Sequence, residues 1–196
     1  MFTKKLTGLI LAGLLMIGSA FAGDQYMIDK AHTRVGFAVK HMVLSTVRGD
    51  FKEYSGKIYF DENDVTKSTV EGTIQVASIN TGDEKRDKHL LSPDFFDVKK
   101  YPEITFKSKK IQKQSKNYVM IADLTMHGVT KEVQVPFKVL GIINDPMGNK
   151  RIGIEAKFKI NRKDYGVSWS KTMDNGGLVV SDDVTIELAF EGVKMK

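Results

Sequence analysis

Alternation of apolar and polar residues with a period of two runs through most of the chain and limits it to strand-based folds. The clearest segment spans residues 152–160, where every even position is apolar and the odd positions hold Gly, Glu, Lys and Lys. Because successive side chains of a strand point to opposite faces, this pattern predicts strands with one buried face. The same alternation recurs in segments 34–40, 51–60, 70–76, 104–107, 118–124, 133–139 and 184–191.

About eight strands joined mostly by short turns must cover their apolar faces. Closing the sheet on itself does this and also removes exposed edges, so the sequence predicts an all-β fold, an antiparallel eight-stranded β-barrel. A barrel of this size either fills with side chains or holds one small ligand. A sandwich of two sheets is the alternative fold.

Residues 78–106 depart from the strand pattern. Residues 81–84, Thr-Gly-Asp-Glu, have the spacing of a capping box, which predicts a short helix with Thr81 as its N-cap. Pro93 follows and predicts a stop and a second helical turn. The segment carries four large apolar side chains that need cover: Leu90, Leu91, Phe95 and Phe96. They predict either a plug that completes the core or a lid over a cavity.

The first 22 residues have the form of a secretory signal peptide. Lys4 and Lys5 precede an apolar run, and residues 20–22 form an A-x-A pattern, so we expect export and cleavage after Ala22. The apolar run is too short for a membrane anchor, the alternative interpretation. The predicted organisation is therefore a signal peptide at 1–22 and one domain at 23–196, with no membrane-spanning segment after cleavage.

Composition excludes several kinds of site. The chain has no cysteine, so it has no disulfide, thiol nucleophile or thiolate metal site. The formal charge is +6, and loss of Lys4 and Lys5 leaves +4. The basic residues are spread out and interleaved with acids rather than gathered in a stripe, so we expect no nucleic-acid partner.

The sequence shows no recognisable catalytic set. Its four histidines, His32, His41, His89 and His127, lack metal-ligand spacing, and there is no G-x-S-x-G elbow or phosphate-binding glycine loop. We therefore predict no catalytic residue, no metal and no cofactor, and favour binding of an apolar ligand. Two alternatives stay open. One is an exported enzyme that uses His and Asp residues near the barrel mouth, and the other is a structural protein with a filled core.

Nine motifs together resemble one family. They are YMIDKAHTRVGF (26–37), VRGDF (47–51), GKIYFD (56–61), SINTG (78–82), RDKHL (86–90), SPDFFD (92–97), YPEITF (101–106), DLTMHGVT (123–130) and INRKDYG (160–166). On these motifs the chain resembles the YceI-like family of periplasmic polyisoprenoid-binding proteins, with Tyr165 where the family often has Phe.

The resemblance implies a periplasmic, lipocalin-like barrel that holds an amphiphilic isoprenoid lipid, such as a polyprenyl phosphate or an isoprenoid quinone. It implies a possible homodimer and no catalytic activity. It also favours the lid over the plug for residues 78–106.

Strand faces and this resemblance together predict the binding residues. Contacts with the apolar tail are expected from Phe37, Val39, Phe51, Ile74, Phe106, Leu124, Phe137, Phe158 and Trp169, with Leu91, Phe95 and Phe96 closing over the tail. Contacts with the head group are expected from Arg48, Asn161 and Arg162, through amide or charge-assisted hydrogen bonds.

Overall fold

The computed structural model describes residues 23–174 and 177–196, so the predicted signal peptide and its cleavage after Ala22 lie outside the described residues. Within that part of the chain there are eleven strands and one α-helix. The strands are β1 (Asp24–Ile28), β2 (Arg34–His41), β3 (Ser45–Phe51), β4 (Tyr54–Phe60), β5 (Thr69–Gln75), β6 (Ile79–Asn80), β7 (Glu103–Gln114), β8 (Asn117–Met126), β9 (Val129–Asn144), β10 (Lys150–Asn161) and β11 (Val180–Lys194). The helix is α1 (Glu84–Leu90), and turns of 3-10 helix cover Val65–Lys67, Val76–Ser78 and Arg162–Tyr165.

The eleven strands occupy eight positions around a closed antiparallel barrel. β1 and β2 share one position, because both pair with β11. β3 and β4 share the second position, because β3 pairs with β2 and β4 pairs with β1. β5 and β6 share the third, because β5 pairs with β4 and β6 pairs with β3. β7 to β11 follow in chain order and complete the ring. The predicted eight-stranded lipocalin-like barrel is confirmed, and the continuous closed sheet excludes the sandwich.

The barrel has two distinct ends. One end, which we call the upper end, carries the β2–β3 turn, the β8–β9 turn, residues 81–102 and the connection from β10 to β11. The lower end carries β1, the β4–β5 connection and the turns after β7 and β9. None of the helices in the described ranges is both long and apolar enough to cross a membrane.

Bulges interrupt the regular alternation at three places: β7 against β8 at Ser108–Lys110, β9 against β10 beside Gly153, and β11 against β2 between Val180 and Val184. The bulge in β7 explains why its inward apolar residues change from even to odd numbers, since Phe106 lines the interior and so does Ile111. Such bulges re-aim the side chains that follow them.

The helix prediction was right in type and wrong in its first residue. Asp83, not Thr81, is the N-cap, and its carboxylate accepts a hydrogen bond from the Arg86 amide at 2.9 Å. Gly82 takes a left-handed conformation at φ +78°, which separates Thr81 from the helix. The Thr81 hydroxyl instead donates to Asp87 at 2.5 Å and accepts from the Arg86 guanidinium at 2.7 Å.

Candidate functional site

The interior of the barrel contains a cavity of about 310 Å³. Inward residues from the barrel strands line it, together with residues of the insertion that covers the upper end. Phe106, Phe158 and Ile186 face inward and yet remain only partly buried, because part of their surface faces this space. The side chains therefore do not fill the barrel, contrary to the structural-protein alternative with a solid core.

Ten of the twelve predicted tail-binding residues line this cavity. They are Phe37, Val39, Phe51, Ile74, Phe95, Phe96, Phe106, Leu124, Phe137 and Phe158. Phe37, Phe51 and Phe96 form a chain of ring contacts, with centroids 5.9 and 6.2 Å apart. Contact of these side chains with a ligand stays a prediction.

Glycine makes room for one of these rings. Gly49 lies opposite Phe37 in the pairing of β2 with β3. A Cβ atom on Gly49 would lie 2.5 Å from the Phe37 ring, far inside van der Waals contact. A side chain larger than that of glycine at position 49 would therefore force the Phe37 ring to move.

The two remaining predicted tail residues lie outside the lining. Leu91 packs against the core cluster at the upper end. Trp169 contacts Phe95 and His89, each with ring centroids 5.1 Å apart, so it backs Phe95 from the connection between β10 and β11. The alternation rule does not reach this connection, because it is not a strand, and only tertiary packing decides what Trp169 touches.

Residues 81–102 act as plug and cavity wall at once. Leu90 and Phe96 pack against the core cluster at the upper end and also line the cavity. Backbone hydrogen bonds from Phe96 to Leu90 and from Val98 to Leu91 hold the segment as a compact unit. The segment is thus a separate, internally bonded cover over one end of the barrel.

Of the three predicted head-group residues, only Arg162 reaches the cavity. Its side chain is buried, with 4% of the residue exposed. The guanidinium donates to the carbonyl oxygens of Ser181 at 3.0 Å, Val167 at 2.7 Å and Val180 at 3.4 Å, and to the Asp182 carboxylate at 3.3 Å. Burial lowers the pKa of this guanidinium, and Asp182 partly opposes that effect. Arginine nevertheless stays charged in proteins, so the cavity has a cation at its upper end.

Arg48 and Asn161 lie elsewhere. Arg48 pairs across the strands with Ala38 on the outer face, and its guanidinium lies 3.9 Å from Glu187. Asn161 caps the 3-10 turn after β10 by accepting from the Lys163 amide at 2.9 Å. The alternation in β3 already indicates that Arg48 faces outward, because position 48 has the opposite parity to the inward-facing Phe51.

Several lining residues were absent from the predicted set, although the same alternation marks them. They are Val35, Ile154, Ile160, Val184, Ile186, Leu188 and Phe190, together with Leu90 of α1. Each lies in a segment with alternating or helical apolar positions. The sequence pattern alone could therefore have predicted these residues as part of the lining.

The four histidines do not come together into one site. His127 lies 3.1 Å from the Tyr165 carbonyl oxygen, and exposed His89 lies 2.9 Å from Asp94. Within the described residues, one group of three possible metal ligands occurs, made of Asp29, His32 and Glu191. Both carboxylates of this group already pair with the guanidinium of Arg151.

Arg151 lies at the centre of an ion-pair network near the lower end. Its guanidinium contacts Asp29 at 2.7 Å, Asp145 at 2.8 Å and Glu191 at 2.6 Å. Hydrogen bonds from Arg151 lower the pKa of Asp29 and of Asp145 to about 2. The exposed His32 ring pairs with Asp29, which raises the pKa of His32. The network joins the β1–β2 connection, the β9–β10 turn and β11.

Comparisons with known proteins agree with this architecture. The YceI-like domain model matches residues 26–192. Protein YceI of Escherichia coli O17:K52:H18 (strain UMN026 / ExPEC) is 40% identical over 196 residues, covering 98% of this chain and 99% of that protein. The crystal structure of the Campylobacter jejuni YceI protein has a TM-score of 0.71 at 36% identity, over 87% of this chain and 98% of that one.

A more distant structure shares the fold. A polyisoprenoid binding domain from Saccharophagus degradans, implicated in plant cell wall breakdown, has a TM-score of 0.62 at 16% identity. The match covers 87% of this chain and 98% of that domain. From the family model and the match with the E. coli protein along nearly the whole chain, we conclude that this chain belongs to the YceI-like domain family.

Proposed function

We propose that this protein is a periplasmic carrier that holds one amphiphilic isoprenoid lipid, of the polyprenyl phosphate or isoprenoid quinone type, in the barrel cavity. The observation that carries the proposal is the apolar interior cavity with a buried cation, Arg162, among the residues that line its upper end. The carrier needs no catalytic residue, metal or cofactor.

The size and lining of the cavity suit an extended apolar tail. Small-molecule sites measure roughly 300–1,000 Å³, and the cavity here, about 310 Å³, falls at the lower end of that range. Each methylene group moved from water into such a space contributes about 0.8 kcal/mol. About ten buried carbons would then contribute about 8 kcal/mol, from which the costs of ordering the ligand are subtracted.

Arg162 supports an amphiphile over a pure hydrocarbon. A guanidinium has five N–H donors, and the contacts of Arg162 account for four of them. A buried cation with incomplete hydrogen bonding is costly, so a phosphate or carbonyl oxygen at the remaining donor would offset that cost. The head group would lie at the upper end and the tail would extend towards the lower end.

One comparison supports the proposed ligand class. The Saccharophagus degradans structure is of a polyisoprenoid binding domain, and the fold that it shares with this chain encloses the cavity described above. The predicted signal peptide supports export to the periplasm. Isoprenoid lipids have extended, apolar tails, which suit an apolar cavity whose lining includes Phe60 near the lower end and Arg162 at the upper end.

Mass spectrometry of a gently purified protein tests the proposal. The protein is isolated from the periplasm of its own cells without detergent and extracted with organic solvent, and we expect about one isoprenoid lipid per chain. A chain that carries no lipid, or only scattered trace lipids, would contradict the carrier function.

A filled-cavity variant provides the matched control. Ala156→Phe places a ring in the lining, whereas Lys159→Phe places the same ring on the exposed outer face of the same strand. We expect the Ala156 variant to lose most of its lipid and the Lys159 variant to retain it. Equal retention in both variants would locate the lipid outside the barrel.

A further inference from the structure

The β2–β3 turn at the upper end exposes apolar side chains at its tip. The turn consists of Met42, Val43 and Leu44, with the Leu44 amide donating to the His41 carbonyl oxygen at 3.1 Å. Val43 is 73% exposed and Leu44 is 86% exposed, while Met42 is 37% exposed. Isolated apolar residues are common on protein surfaces, but two adjacent branched residues at the extreme tip of a turn are not explained by folding.

The backbone of this tip is strained, because its residue types rarely adopt the conformation found here. Met42 and Val43 have left-handed conformations, with φ of 49° and 62°. Turns of this shape normally use Asn, Asp or Gly, and a β-branched residue with positive φ is an outlier. Neither stability nor solubility favours Val43 at this place. Strained positions of this kind cluster where a protein contacts ligands or partners.

The tip lies at the end of the barrel where the cation and the cover over the cavity are found. Val39 lines the cavity in the same strand that leads to the tip, and the Met42 amide donates to the Val179 carbonyl oxygen at 2.9 Å. Val180, the next residue along, also lines the cavity. The exposed apolar tip therefore directly adjoins residues that line the cavity.

Positive charge flanks the tip. Exposed Lys40 precedes it in β2, and exposed Lys171 is the hydrogen-bond partner of Val179, which in turn contacts Met42. Exposed acids also occur nearby: Asp164 and Asp174 lie in the same connection, and Asp183 lies in the bulge of β11 opposite β2. With a net charge of +4 after loss of the signal peptide, the protein as a whole is attracted to anionic surfaces.

We propose that Met42, Val43 and Leu44 form a membrane-insertion tip that docks the upper end of the barrel on an anionic lipid bilayer. This inference rests on the proposed function, because the bilayer is the source or destination of the lipid ligand. A bilayer fits a three-residue tip, since apolar side chains enter the interface while nearby Lys side chains contact lipid head groups. A stable protein partner needs roughly 800 Å² from each side, far more than one turn offers.

A single fluorescent label tests the docking directly. Because the chain has no cysteine, Leu44→Cys creates one labelling site for a polarity-sensitive fluorophore. With vesicles of phosphatidylethanolamine and phosphatidylglycerol we expect a blue shift at this site. The matched control is Met147→Cys, 78% exposed in the β9–β10 turn at the lower end, where we expect none. The absence of a shift at position 44, or an equal shift at both sites, overturns the inference.

A polar tip provides the second measurement. Val43→Asn combined with Leu44→Asn should weaken vesicle binding in flotation by at least about tenfold, because two apolar side chains no longer enter the bilayer. Asn tolerates the left-handed conformation of residue 43, so the melting temperature should not fall. The control pair is Ile143→Asn with Met147→Asn, which removes two exposed apolar side chains from the lower end and should leave binding unchanged. Undiminished binding by the polar tip contradicts the proposal.

The same samples separate this inference from the carrier function. A protein that contains its lipid but shows no shift at position 44 overturns the docking and leaves the carrier intact. A shift at position 44 in a protein without lipid supports the docking and overturns the carrier. A dimer in size-exclusion chromatography that the polar tip abolishes, with no vesicle binding by the wild type, overturns the membrane in favour of a second copy of this chain.

Discussion

The two ends of this barrel are closed by different kinds of structure. At the lower end, Tyr26, Phe60 and Ile152 pack into a buried cluster, and the Arg151 network ties neighbouring connections together outside it. At the upper end the cover is a separate segment, residues 81–102, whose apolar side chains also face the cavity. Both ends therefore contribute buried packing to the fold. The upper end differs because its cover also lines the cavity, so the proposed function places ligand exchange there.

Truncation of the lower cluster should have the largest effect. Phe60 is 3% exposed and contacts Tyr26 edge to face, so Phe60→Ala should lower the free energy of unfolding by about 3–5 kcal/mol. Phe37→Ala should cost clearly less, because Phe37 is only partly buried. Urea denaturation of both variants measures the difference, and equal losses would contradict the division between the ends.

Truncation of the cover should act on the ligand as well as on the fold, because Phe95 is buried and Phe96 packs against the core cluster. Phe95→Ala combined with Phe96→Ala removes two rings that line the cavity at the upper end. We expect the bound lipid to dissociate at least about tenfold faster, since two rings bury enough apolar surface against a tail to exceed the roughly 1.4 kcal/mol that corresponds to tenfold. Release to acceptor vesicles measures the rate. Unchanged retention would mean that these rings are only a plug.

The strained tip should show a smaller effect of opposite sign. Val43→Asn should raise the free energy of unfolding by about 1 kcal/mol, because the left-handed conformation costs a β-branched residue roughly that amount. Thermal unfolding measures the change, with Leu44→Asn as the control at a residue that the strain does not include. A lower stability for the Val43 variant would mean that strain at residue 43 is not a mark of a functional tip.

The Arg151 network should have its effect in acid. Asp29 and Asp145 have a folded-state pKa of about 2, below the ordinary value near 4, so their contribution to stability is complete above pH 4. It is lost as pH falls towards 2, when both carboxylates take up protons. Arg151→Gln should therefore flatten the fall in stability between pH 4 and 2 in acid titrations. The same slope in both proteins would place the acid sensitivity elsewhere.

Much of the fold and part of the site could be predicted because they depend on local periodicity. The parity of residues such as Phe37, Phe106 and Phe158 places them inside any closed sheet made from these strands. The helix could also be predicted from local sequence, but the predicted N-cap was wrong. Asp83 and Thr81 are both good capping residues, so residue type alone does not choose between them. Only the Gly82 conformation and the contacts of Thr81 with Arg86 and Asp87 decide between them.

The sequence by itself determined about eight strands with one apolar face each and a segment, residues 78–106, that departs from them, because alternation with a period of two is a property of each strand. The tertiary structure decided that the strands close into a barrel rather than pack as a sandwich, because closure depends on which strands pair. Only the tertiary structure decided that Arg162 binds three carbonyl oxygens and a carboxylate, that Trp169 backs Phe95, and that the tip at Val43 lies beside the lining. Those contacts join residues from different connections. Strand register and bulges set them, and no local pattern encodes which connections meet.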